Sequence, residues 1–218
     1  MKRLLIACLA VFMVVGFSGA ALAAPVLSFQ FDVDGDLNTL DDNMTIDTVG
    51  GTVTTDLYAL VVDDDPSSGI AYELQSFGLN LEYDAALLGI THGTVFSDWI
   101  FGAPVFDNST DGSLIMSGAY FNFSPPPYGI GSPMLLGTIV FECEGIGLSP
   151  LTIFDSDKGG SIADFALAGE VGGLDLDDQI MNGVQIGSIN NPVPIPGAVW
   201  LLGSGLLGLV GLRRKIRS

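Results

Sequence analysis

Between Arg3 and Arg213 the chain carries one positively charged side chain, Lys158, and every acidic residue lies between Asp32 and Asp178. The totals are 7 Lys and Arg against 25 Asp and Glu, a formal net charge of −18. Apart from Lys158, cationic charge lies at the ends: Lys2 and Arg3 in front, Arg213, Arg214, Lys215 and Arg217 behind, each time beside an uncharged apolar run. An acidic body bracketed by apolar segments with basic flanks is a chain organised about a membrane. A body with one Lys and no Arg repels phosphate, so no nucleic-acid partner is expected.

The front end reads as an export signal. Lys2 and Arg3 form a short positive region, Leu4 to Phe17 is apolar, and Ala21-Leu22-Ala23 offers small residues to a signal peptidase. Residues 1–23 are expected to be removed, and Cys8 with them. The mature chain then has a single cysteine, Cys143, so the exported domain must hold together without an internal disulfide. Cys143 is expected to be a packed strand side chain, since no His stands nearby in the sequence to activate it.

The back end reads as a short membrane helix. Gly197 to Leu212 holds no charge, and at 1.5 Å per residue it reaches roughly 24 Å, a little under the hydrocarbon core of a bilayer. Trp200 suits the headgroup boundary, and Arg213, Arg214 and Lys215 suit the cytoplasmic face. Before the helix, Val193-Pro194-Ile195-Pro196 cannot be helical and presents an extended segment that an enzyme can grip. A Pro-x-Pro motif, a glycine-rich apolar helix and a terminal basic cluster together resemble the PEP-CTERM sorting signal, in its Val-Pro-x-Pro variant. That family's usual motif has Glu where this chain has Ile195. The resemblance implies an exosortase-like enzyme as partner, with Val193, Pro194, Pro196, Arg213, Arg214 and Lys215 as the recognised residues. The layout is therefore 1–23 signal peptide, 24–190 body, 191–196 linker and sorting motif, 197–212 transmembrane helix and 213–218 basic tail.

Residues 24–190 are long enough for one core and alternate at the period of a strand. Leu27, Phe29 and Phe31 alternate with Ser28, Gln30 and Asp32; Phe77, Leu79, Leu81 and Tyr83 alternate with Ser76, Gly78, Asn80 and Glu82. Leu57, Ala59 and Val61 alternate with Tyr58, Leu60 and Val62, a strand expected to be covered on both faces. Leu114 with Met116, Leu135 to Phe141, and Val184 with Ile186 and Ile189 mark further strands. Gly50-Gly51, Asp111-Gly112 and Pro125-Pro126-Pro127 are among the turns between them, and Asp84 to Leu88 is a candidate helical turn. The expected fold is all-β, a single antiparallel sandwich. Tyr83-Asp84-Ala85-Ala86-Leu87, ending a self-packing strand, and the later Leu136-x-x-Ile139-x-Phe141 are similar to two markers of cohesin-like domains. That resemblance implies a jelly-roll sandwich shared with some carbohydrate-binding modules.

Chemistry-bearing clusters are few. Asp32-Val33-Asp34-Gly35-Asp36 places hard oxygens in one tight loop, which suits Ca²⁺. Asp32, Asp34 and Asp36 are the expected ligands, with Asp41 or Asp42 in reserve. It is not an EF-hand, because counting from Asp32 the glycine stands fourth and Asn43 twelfth. Asp63-Asp64-Asp65 and Asp175-x-Asp177-Asp178 read as solvated charge. Trp99 and Tyr128, in an aromatic stretch with three prolines, are candidates for a sugar-stacking platform, against the alternative that they serve the core. His92 is the lone histidine and no nucleophile elbow accompanies it. These features point to an exported, non-catalytic surface or matrix protein whose sandwich binds polysaccharide or a protein. The alternative is a secreted carbohydrate-active hydrolase.

Overall fold

The computed structural model describes residues 25–37, 41–62, 73–97, 103–119, 133–156, 165–168, 174–192 and 204–205. Among these residues twelve strands run in chain order: β1 (Val26–Asp32), β2 (Asn43–Thr45), β3 (Thr52–Val62), β4 (Glu73–Glu82), β5 (Leu88–Val95), β6 (Val105–Thr110), β7 (Ser113–Ala119), β8 (Met134–Cys143), β9 (Gly147–Asp155), β10 (Ala166–Ala168), β11 (Leu174–Asp175) and β12 (Val184–Asn191). A 3-10 turn, Asp177–Gln179, precedes β12. One sheet has four strands in the order β1-β3-β8-β5, and the other has eight, built around β4, β9 and β12.

Alternation places the core. In β3 the even spacing buries Thr55, Leu57, Ala59 and Val61. The opposite side of that strand is only half covered at Tyr58 and Leu60 and open at Val62. The expectation of cover on both faces is thus corrected: branched and aromatic residues outside reflect strand propensity, not a second buried layer. Phe31, Leu57, Leu136, Ile139 and Phe141 from the four-stranded sheet meet Phe77, Leu79, Leu81, Leu114, Met116, Leu151 and Ile153 from the other in one core. Phe165, fully buried just ahead of β10, meets Phe29 edge-on at 5.5 Å and Phe77 at 6.3 Å. Each buried aromatic of this kind contributes on the order of 1.5–3 kcal/mol through the hydrophobic effect.

β4 is the organiser of the larger sheet. One of its edges pairs with β7 from Ser76 to Glu82; the other takes β9 at Leu79–Glu82 and β10 at Glu73–Ser76. Asp84 to Leu88, the candidate helical turn, is a hydrogen-bonded turn in which the N–H groups of Leu87 and Leu88 both reach Asp84 O at 2.9 Å. One pairing departs from the antiparallel rule: β2 runs parallel to β12, with Met44 opposite Ile189.

The exposed edge of β1 is covered by side chain rather than strand. Gln179 accepts from Leu27 N at 2.9 Å and donates to Pro25 O at 2.8 Å. Capping an edge this way blunts a template for association with other chains. Among the described residues no helix is long and apolar enough to cross a membrane. Residues 1–23, Val193 to Pro196 and the basic residues 213–218 lie outside the described residues, as does 197–212 apart from Ser204 and Gly205, which are helical.

Candidate functional site

The acidic loop after β1 is where carboxylates converge. Asp32 closes β1 opposite Asp56 of β3 and is only 4% exposed. Its backbone carbonyl accepts from Thr55 Oγ1 at 3.1 Å. The chain then turns sharply, with Gly35 at φ +80°, a value costly for other residues. The turn is written by its own side chains. Gly35 N donates to Asp32 Oδ1 at 2.8 Å, and Asp36 N donates to Asp34 Oδ1 at 3.0 Å. Asp41 returns beside this loop because its N–H bonds to Phe31 O at 3.3 Å, and its Oδ2 accepts from Val33 N at 2.7 Å.

One carboxylate oxygen from each of Asp32, Asp34 and Asp41 lies within 4.8 Å of the others. Asp36, an expected ligand, contributes no oxygen to that group, whereas Asp41, held in reserve, does. Asp42 stands aside and accepts from Asn43 Nδ2 at 2.8 Å. The donor set is oxygen only, the chemistry of hard divalent cations. No Lys or Arg occurs among the described residues, so no protein cation neutralises these three acids there.

The acids act on a neighbouring phenol. Tyr58, opposite Gln30 of β1, has its pKa raised by burial first, then by the charges of Asp56 and Asp32. His92 is exposed on β5, next to a register shift against β8. Cys143 is buried, its thiol 3.3 Å from Gly145 O, in keeping with a packed side chain. Trp99 and Tyr128 lie outside the described residues, as does Asp63-Asp64-Asp65. A polar cleft lies between the end of β4 and the β6–β7 turn; no motif signals it, because its residues come from separated stretches of chain.

Two sheets over one core, with a carboxylate loop at the end of the first strand, define the class as an all-β sandwich. No protein-family model matches the chain, and no curated protein matches it. Among solved structures it is similar to CaCohA2 from Clostridium acetobutylicum, with 16% identity over 76% of this chain and 91% of that one, at a TM-score of 0.46. It is also similar to a type III cohesin module from the cell-surface anchoring scaffoldin ScaE of Ruminococcus flavefaciens (14%, 78% and 89%, TM-score 0.45). A cohesin module from a family 33 glycoside hydrolase of Clostridium perfringens gives 17% identity over 77% and 99%, TM-score 0.41. At these identities and scores the likeness transfers neither partner nor activity.

Proposed function

We propose that this chain is an exported, non-catalytic surface or matrix protein, held at the membrane by its C-terminal apolar segment and processed there by an exosortase-type enzyme. Its sandwich is a binding module for polysaccharide or a protein partner. The observation that carries this reading is the separation of charge: the body holds one cation, Lys158, while the other six flank the two terminal apolar runs. Such a body is directed outward by the positive-inside rule. The protein-partner half of the reading follows the cohesin-like markers, which fall at the turn after β4 and within β8.

Intact-mass measurement on protein recovered from membrane and extracellular fractions tests the proposal. The expected chain starts at Ala24 and ends near Pro194–Gly197. A full-length species in the cytosol that retains Met1 overturns it.

The convergence of Asp32, Asp34 and Asp41 favours a bound divalent cation, Ca²⁺ in an extracellular setting, as a structural cofactor of the β1 loop. Its ligands would tie Asp34 and Asp41 to the end of β1, and the ion would supply charge neutralisation rather than chemistry.

A further inference from the structure

The last residues of β4, the first of β5, the β6–β7 turn and Glu144 after β8 enclose a cleft of about 210 Å³. Tyr83, Asn108, Asp111 and Glu144 are its polar wall; Leu88, 1% exposed, belongs to the core beneath it. The wall is fixed by hydrogen bonds to backbone carbonyls. Tyr83 N donates to Gly112 O at 3.0 Å, Glu144 N donates to Leu87 O at 2.9 Å, and Asn108 Nδ2 donates to Ile90 O at 2.9 Å. The Tyr83 ring is braced edge-on against Phe141 at 6.3 Å. Two glycines keep the space open. A Cβ on Gly89 would collide with Glu144 Oε1, and Gly112 holds φ +79° with Tyr83 O 3.1 Å from where its Cβ would stand.

We infer that this cleft is a subsite for one neutral glycosyl unit. The inference rests on the binding-module reading above and deepens it. Two carboxylates accept hydrogen bonds from sugar hydroxyls, and the Asn108 amide and Tyr83 phenol can both give and take them, so the cleft meets a ring through its hydroxyl edge. The volume is below the roughly 300–1,000 Å³ of pockets for drug-sized ligands, so it accommodates a single ring rather than a stretch of polymer. Charge decides which ring. Asp111 and Glu144 flank the space, and no Lys or Arg among the described residues offsets them. Uronic, sulfated and phosphorylated sugars are repelled, and neutral hexoses are admitted.

The test uses the full chain in a zwitterionic micelle, since maltoside detergents present the ligand chemistry themselves. Backbone amide NMR shifts are followed with cellobiose, mannobiose, lactose and digalacturonate. A neutral disaccharide is expected to shift the amides of Tyr83, Asn108, Gly112 and Glu144 saturably in the millimolar range, with digalacturonate weaker by about tenfold or more. The double variant Asp111→Asn with Glu144→Gln is expected to weaken the neutral sugar by about tenfold and to narrow the gap to digalacturonate. Should that variant not fold, the wild-type contrast between neutral and uronic sugars decides alone. Absence of saturable shifts with all three neutral sugars overturns the subsite, as does tighter binding of digalacturonate. Shifts confined to other residues overturn the subsite and leave the binding module standing. Release of reducing sugar from any of the probes overturns the non-catalytic reading itself.

Discussion

The side-chain amide of Asn191 donates to the carbonyl oxygen of Leu87 at 2.9 Å, and the same nitrogen reaches Gly145 O at 3.0 Å. Leu87 O also receives the N–H groups of Glu144 and Gly145, so three donors from two segments of chain meet on one carbonyl. The last strand is thereby tied to the turns after β4 and β8. Asn191 is 1% exposed, and its Oδ1 has no hydrogen-bond partner among the described residues. Asn191→Asp is expected to cost more than Asn191→Ala, because it sets a carboxylate oxygen against two carbonyls, whereas Ala also removes the unpaired Oδ1. Losses of about 1–3 kcal/mol are expected by chemical denaturation, in that order.

Gln179 substitutes for a missing strand along β1. Gln179→Glu keeps the acceptor for Leu27 N and places oxygen against Pro25 O, and is expected to cost about 0.5–1.5 kcal/mol. Gln179→Leu leaves the edge bare. Its signature is faster aggregation by light scattering at elevated temperature, beyond what its change in melting temperature accounts for.

Millimolar Ca²⁺ is expected to raise the melting temperature of the full chain, and Asp32→Asn or Asp41→Asn to remove the rise. Tyr58 provides a second readout. Part of its raised pKa comes from Asp32, so a cation held there brings the phenol back down. Ultraviolet titration with and without Ca²⁺ measures this. An unchanged tyrosine titration together with an unchanged melting temperature rules out the cation.

Tyr83 makes stability depend on alkaline pH. Its phenol is raised above 10.0 by burial first and by Asp111 and Glu144 next, against an opposing hydrogen bond from the Gly112 backbone. A group whose folded pKa lies above its unfolded value holds its full stabilisation below the unfolded pKa and loses it as pH rises through the folded one. Urea unfolding from pH 8 upward is expected to show a decline beginning near pH 10 that is shallower in Tyr83→Phe.

Much of the architecture was written in alternation. The runs around Phe29, Leu57, Leu79, Met116 and Ile139 became β1, β3, β4, β7 and β8, and Asp111-Gly112 became a turn at φ +79°. What escaped is what periodicity cannot carry. β2, β10 and β11 have two or three residues each, too few to show a period. The parallel match of Met44 with Ile189 depends on where the sheets close, not on either segment. At the acidic loop, Asp32 and Asp34 followed from local spacing, but Asp41 enters through a hydrogen bond to Phe31 that only the fold supplies. The cleft is less legible still, since Tyr83, Asn108, Asp111 and Glu144 share no motif and meet only through sheet pairing.

The segregation of charge has a practical corollary for anyone seeking this protein in a cell. Trypsin cuts after Lys and Arg, and between Arg3 and Arg213 it finds Lys158 alone. Digestion of the unprocessed chain leaves residues 4–158 and 159–213 as two long acidic peptides, few handles for a tryptic survey. A protease directed at Asp or Glu, or one that cuts after large apolar residues, recovers it.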